Sequence, residues 1–332
     1  MKKKIFSIII VCILLLSTGC GSSNYVKKDK KTIVTYESTG QNLQKNILCK
    51  PEEKELYELY EKYDDQLEVP LKDLPKCDDF KINSGKYQGL WNALFVKPLA
   101  FLILKLGKLV KNYGVSVMLI GLLIRLILLP FSKKTLRQSE NMKKANPELQ
   151  RLEKKYANKT DNESMMAKSQ EMMMIYKKYN ISPFGSCLLA FIQLPLFFGF
   201  LQAINRVPAI FEDSFLGLKL GMTPLKGFSN HQYGYIILIA LIILTTYYSF
   251  KDTMKQTGGN NEAEKQMKMT MTIMIVMISF ASFSLPTAIA LYWIVTNGFI
   301  ILQNKILKKF IEIEDSKHKI IKPNKSNKKR GK

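Results

Sequence analysis

The sequence predicts an all-α integral membrane protein: five transmembrane helices, a cytoplasmic helical hairpin and an external interfacial amphipathic helix. Three observations lead there. Apolar blocks of spanning length alternate with lysine-rich blocks, the basic residues crowd into alternate connecting segments, and the chain begins with an export signal. Of the 332 residues, 50 are Lys or Arg and 27 are Asp or Glu, so a formal net charge of +23 must be distributed about the membrane. Hydrophobic residues make up 47%, a share that discriminates only through its clustering.

Residues 1–19 read as a lipoprotein signal peptide. Lys2, Lys3 and Lys4 form its basic start, Ile5 to Leu16 its apolar core, and "STGC" a small-residue cleavage site. Cleavage leaves Cys20 as a lipid-bearing N-terminus, palmitate among its chains. The alternatives are a plain signal peptide and an uncleaved first span. Residues 20–89 form an exported polar segment, in which Leu56, Leu59, Tyr60 and Tyr63 fall at helical spacing. Cys49 and Cys77 share this segment; a disulfide is chemically permitted there, but two free thiols are the favoured expectation. Residues 90–112 are apolar but interrupted by Lys97, Pro98, Lys105 and Lys108, which argues for a helix lying on the membrane surface.

The five spans are placed at about 113–131, 184–204, 233–250, 269–285 and 287–307. At ~1.5 Å per residue they cover roughly 26–32 Å, one hydrocarbon core. The loop after the first span holds Lys133, Lys134, Arg137, Lys143, Lys144 and Arg151, and the tail 308–332 is basic throughout. The positive-inside rule therefore puts the N-terminus outside and the C-terminus in the cytoplasm of a bacterial cell. Within the loop 132–183, Asn146 is expected to cap a helix beginning at Pro147, with Leu149, Leu152 and Tyr156 on one face. A second helix over 164–179 carries Met165, Met172, Ile175 and Tyr179 on a stripe and ends at Asn180 and Pro183, giving the hairpin.

One residue violates the apolar logic. Arg125 sits inside "GLLIRLILLP", where a central arginine costs about 2.5–3.5 kcal/mol on insertion scales. Six residues before Phe131, it lies about 9 Å from the helix end and can also be read as snorkelling to the cytoplasm. No carboxylate occurs within a span, which weighs against proton or cation coupling, and no nucleotide motif is present, so neither an enzyme nor a cofactor is expected.

From Leu90 to Lys309 the chain resembles the YidC membrane insertase family. The likeness rests on four features in fixed order: "IGLLIRLILLPFSKKTLRQSENM", "NPELQRLEKKY", "ISPFGSCLLAFIQLPLFFGFLQAI" and "SLPTAIALYWIVTNGFIILQNKI". The lipoprotein start and five spans resemble the shorter, Gram-positive type. Ser182 stands where members often have asparagine, Leu189 where they have proline, and Ser249 where some have glutamine.

The resemblance implies a hydrophilic groove within the membrane, open to cytoplasm and lipid, with Arg125 in it and Gln193, Ser249, Tyr292 and Trp293 as further lining. Gln202 is a weaker candidate. Helix–helix hydrogen bonding explains the glutamines equally well, and ordinary packing explains Trp293. The implied partners are nascent membrane proteins, the Sec translocon and the signal recognition particle receptor. The methionines at 165, 166 and 172–174 suit surfaces that accept varied apolar sequences, or simply fill irregular cores. The tail after Ile321 is too poor in apolar residues to fold alone, and its charge suits ribosomal RNA or anionic lipid. The rival functions are a lipid-anchored assembly factor without a groove and a small-solute transporter.

Overall fold

The computed structural model describes residues 24–182, 188–257 and 262–321. In chain order the elements are β1 (Thr35–Tyr36), β2 (Gln41–Asn42), α1 (Lys54–Glu61), α2 (Lys97–Val110), α3 (Tyr113–Ile127), α4 (Leu129–Lys155), α5 (Asn162–Lys178) and α6 (Leu188–Asn205). There follow α7 (Pro208–Glu212), β3 (Ser214–Phe215), β4 (Leu218–Lys219), α8 (Pro224–Ser229), α9 (Gly234–Thr257), α10 (Glu262–Ala281) and α11 (Thr287–Ile321). The two strand pairs are antiparallel hairpins, and the described chain is otherwise mostly helical. It divides into two compact units. The first comprises Met1–Ile124, Ala190–Thr246 and Ile273–Thr296; the second comprises Arg125–Leu189, Tyr247–Thr272 and Asn297–Lys332.

The first unit contains the N-terminal polar segment, expected from sequence to be exported, which folds around its own core. Leu56 and Tyr60 of α1, on the face predicted from their spacing, pack with Val26, Leu43, Ile47, Leu71 and Leu74. Burial pushes the Tyr60 phenol well up, and its hydroxyl accepts the Gln44 N–H at 3.2 Å. Cys49 and Cys77 are joined in a disulfide, which overturns the expectation of free thiols. Sequence could not show that the two meet, because the chain between them returns through irregular turns. Backbone N–H groups of Glu52 and Glu53 donate to Glu212 Oε1 at 2.9 and 3.1 Å, and Thr223 N donates to Thr39 O at 3.1 Å. Those bonds fasten the segment to the loops around α7 and α8.

The amphipathic helix of residues 90–112 is realised as a π-helical turn, Asn92–Val96, leading into α2. Leu99, Ala100, Ile103, Leu104 and Gly107 are buried on one face. Lys97, one of the lysines that argued for a surface-lying helix, is buried, and its Nζ donates to the carbonyls of Ser84 and Lys86 at 2.6 and 3.2 Å. Burial, helped by the nearby Arg206 charge, pulls its pKa down. Lys111 adopts a left-handed backbone (φ 55°) and ends α2; Asn112 then caps α3, its Oδ1 accepting Val115 N at 2.9 Å.

In the second unit, α4 and α5 pack side by side. Ala145 and Leu149 of α4 meet Ile181, with Met172, Ile175, Tyr176 and Tyr179 against them. Met165 does not join this cluster; it is exposed. Glu171 accepts from Lys155 Nζ at 2.6 Å and Tyr156 Oη at 3.0 Å, and Glu148 from Tyr179 Oη at 2.8 Å. Asp161 caps α5 by accepting Ser164 N at 2.8 Å, and Asn180 (φ 52°) follows its end. The expected cap at Asn146 is not formed. Pro147 lies inside α4, a helix that runs without a break from Leu129 to Lys155. An interior proline forfeits a backbone bond at a cost of about 3 kcal/mol. Packing of Ala145, Leu149 and Leu152 outweighs it here.

Several span limits also move. The stretch 113–131 is interrupted at Leu128, with Pro130 opening α4. The helix over the stretch expected as a fourth span ends at Ala281 rather than 285, and the helix over the expected third continues to Thr257. α11 does not stop at Leu307 but reaches Ile321, so the tail begins as helix. Its Glu314 accepts from Lys133 Nζ and Arg137 Nη2 at 2.5 and 2.7 Å, and Asp315 from Lys144 Nζ at 2.9 Å. Among the described residues, Gly234–Lys251 and Thr287–Ser316 are each long and apolar enough to cross a membrane, and α3 with α4 passes when taken as one. The expected signal peptide, Cys20, Cys187 and the end of the tail lie outside the described residues.

Candidate functional site

On α3, α9 and α11, polarity is inverted at several positions relative to a water-soluble fold. Arg125 is 8% exposed, while its neighbours Leu126 and Ile127 are 53% and 64% exposed. Ser249 is 5% exposed beside Tyr247 and Tyr248 at 44% and 48%. Gln303 is buried next to the exposed Leu302. In water, each exposed leucine would forfeit about 1.5–3 kcal/mol of burial energy, and each buried polar group would cost more unless satisfied. In hydrocarbon the cost of exposing the apolar groups disappears, and the polar ones gain by turning inward. Arg125, Ser249 and Gln303 all belong to the second unit. Gln303 was not anticipated, and its Oε1 has no hydrogen-bond partner among the described residues. An interior glutamine in "GFIILQNKIL" was the only available signal.

The other expected lining residues lie in the first unit. Tyr292 is buried, its ring stacked on Phe200 with centroids 4.2 Å apart. Gly121 makes room for it, since a Cβ there would meet Tyr292 Cδ2 at 2.9 Å and Thr296 Cγ2 at 3.0 Å. Trp293 Nε1 donates to Thr246 Oγ1 at 2.8 Å, and Phe197 meets its ring edge-on at 5.2 Å. Tyr292 and Trp293 are thus set in an aromatic layer between α6, α9 and α11. Gln193 is half-buried with Oε1 lacking a partner among the described residues. Gln202 instead has a packing role, accepting Trp91 Nε1 at 3.0 Å.

Arg206 also went unanticipated except as one loop charge. It is 2% exposed, with Nε donating to Asn46 O at 2.6 Å, Nη1 to Asn92 Oδ1 at 2.5 Å and Nη2 to Gln88 Oε1 at 2.5 Å. Desolvation pulls its pKa down to about 10, opposed by the Glu68 carboxylate. The guanidinium fork ties the N-terminal polar segment to the entrance of α2.

Buried polar groups on helices that expose leucine, isoleucine and tyrosine, two of the helices long and apolar enough to cross a membrane, define an integral membrane protein. The family model described as 60Kd inner membrane protein matches residues 105–315. Over 219 residues the chain is 36% identical to membrane protein insertase MisCA of Bacillus subtilis, covering 66% of this chain and 79% of that one. It is 36% identical over 220 residues to membrane protein insertase YidC 2 of Listeria innocua, covering 66% and 72%. A solved active YidC insertase with its first transmembrane domain resolved is 26% identical, with a TM-score of 0.46, covering 68% of this chain and 48% of that chain. This chain thus spans about half the length of the solved one. The chain belongs to the 60Kd inner membrane protein family, that of the YidC insertases.

Proposed function

We propose that the chain inserts nascent integral membrane proteins and helps them fold, with Arg125 in a hydrophilic intramembrane groove. The observation that carries this reading is the burial of Arg125 on a helix whose neighbouring leucine and isoleucine are exposed. A cationic cavity lowers the cost of drawing an acidic or polar terminus into the membrane. The client's apolar segment then passes into lipid, driven by burial of its surface. No bond is made or broken. The reading includes five spans, the lipid anchor at Cys20, an external N-terminus, the α4–α5 pair in the cytoplasm, α2 in the outer membrane interface, and a ribosome partner for the basic tail. The Sec translocon, the signal recognition particle receptor and anionic lipids complete the proposed partners. Full-length protein reconstituted into proteoliposomes should insert a single-span client with a short acidic external tail. Insertion no better than into protein-free liposomes would refute it.

A further inference from the structure

Beside α2 the first unit forms an open groove of about 620 Å³. One wall is the turn carrying Asp79, Phe80, Lys81 and Ile82; the other is α2, through Phe101 and Lys105. Three fastenings fix the walls. The Cys49–Cys77 disulfide holds the start of the turn to the exported core, Lys108 Nζ meets Asp78 Oδ2 at 2.8 Å, and Lys97 Nζ donates to Ser84 O at 2.6 Å. The pairing of Asp78 with Lys108 leaves Asp79, Lys81 and Lys105 as exposed charges, and none of the three forms an ion pair among the described residues. Lys105 Nζ lies 5.7 Å from the centroid of the Phe101 ring, and Phe80 is buried beneath the turn. Leu94, Leu102 and Leu109 of this helical stretch are 65%, 42% and 77% exposed, and Ile82 is 44% exposed.

Two unpaired ammonium groups, one unpaired carboxylate and an aromatic wall thus meet at the border of an apolar face. That pattern complements a phosphate, an amine and two acyl chains. We propose that the groove binds the headgroup of an amine-bearing zwitterionic glycerophospholipid of the phosphatidylethanolamine type. Lys81 and Lys105 take the phosphate, Asp79 takes the ammonium, and the chains lie over Phe101, Ile82 and the exposed leucines. A purely anionic headgroup would satisfy the lysines but place its charge against Asp79, and a choline headgroup has no N–H to donate. The site rests on the placement of α2 in the membrane interface, and its consequence is to anchor the exported segment and α2 to the outer leaflet.

The test uses full-length protein in two settings. In detergent, short-chain phosphatidylethanolamine, phosphatidylglycerol and phosphatidylcholine are compared, with free phosphoethanolamine and inorganic phosphate alongside. In nanodiscs containing equal parts of the three long-chain lipids, retained lipid is counted by native mass spectrometry. Phosphatidylethanolamine should bind at least tenfold more tightly than phosphatidylcholine in detergent and be enriched in the nanodisc. The Lys81→Ala/Lys105→Ala variant should lose that binding, and Asp79→Asn should lose the preference for ethanolamine over choline. Equal binding by wild type and the double lysine variant, or equal binding of all three lipids, overturns the site. Binding of phosphoethanolamine or phosphate as tight as that of the lipid overturns the lipid assignment. Selective binding in detergent with no enrichment in nanodiscs leaves the site standing and overturns the interfacial placement of α2.

Discussion

Replacing Arg206 should loosen the N-terminal polar segment, proposed to be exported, while leaving the long apolar helices intact. In Arg206→Met the side-chain stem is kept and three donors are lost, those facing Asn46 O, Asn92 Oδ1 and Gln88 Oε1. The Asn46 carbonyl belongs to a buried residue, and an unpaired buried acceptor costs about 1–3 kcal/mol. Gln88 and Asn92 are half-buried, and partial hydration reduces their loss to about 0.5–1 kcal/mol each. The sum is about 3 kcal/mol, partly offset because methionine carries no desolvation penalty into the site. At 1.4 kcal/mol per decade, local opening should become roughly a hundredfold more frequent. The assay is limited proteolysis of whole cells from outside, following cleavage within residues 50–90. Arg206→Lys, one point charge in place of a fork, should restore only part of the protection. Cleavage of Arg206→Met at the wild-type rate would refute the argument that this fork holds the segment.

Four further outcomes follow. Cys49→Ser should destabilise the exported segment by about 3–4 kcal/mol, from loop closure across a separation of 28 residues, and be seen as earlier protease sensitivity; an unchanged profile contradicts it. Gly107→Ala would drive a Cβ into the Tyr113 ring, so the ring or its helix must shift and thermal stability in detergent should fall. The carboxyls of Glu148 and Glu171 are held below the ordinary glutamate range, chiefly by Lys178 and Lys155. Their contribution is present above the unfolded value of about 4.3 and is lost as pH falls through the depressed folded values. Hydrogen exchange over 162–178 should therefore accelerate between pH 5 and pH 3 by more than intrinsic exchange predicts. Finally, an impermeant thiol reagent should label Ser214→Cys from outside, and Thr160→Cys only after cells are opened.

The elements governed by local pattern were legible in the sequence. The α1 face, the end of α5 at Asn180 and the Leu149–Leu152–Tyr156 face depend on helical spacing and chain breakers alone. What failed depended on contacts distant in sequence. Asn146-Pro147 reads locally as a helix start, and only packing with Ile181 explains why α4 continues through it. The helical extension of α11 past Leu307 draws on Lys133, Arg137 and Lys144, more than 170 residues away. The Cys49–Cys77 bond and the burial of Lys97 required knowing where irregular turns go. For the candidate site, Arg125 was legible because a charge within an apolar run needs no partner to be conspicuous. Arg206 was not, because a loop arginine looks the same whether solvated or clamped.

Replacement of Arg125 tests the central claim most directly. Purified wild type, Arg125→Lys and Arg125→Ala are reconstituted at equal density, and insertion is timed for a client with an acidic external tail and for the same client with that tail neutralised. The account predicts that Arg125→Lys keeps most of the activity, and that Arg125→Ala loses it for the acidic client by at least tenfold while the neutral client is affected less. Wild-type insertion of the acidic client by a folded Arg125→Ala protein would contradict it.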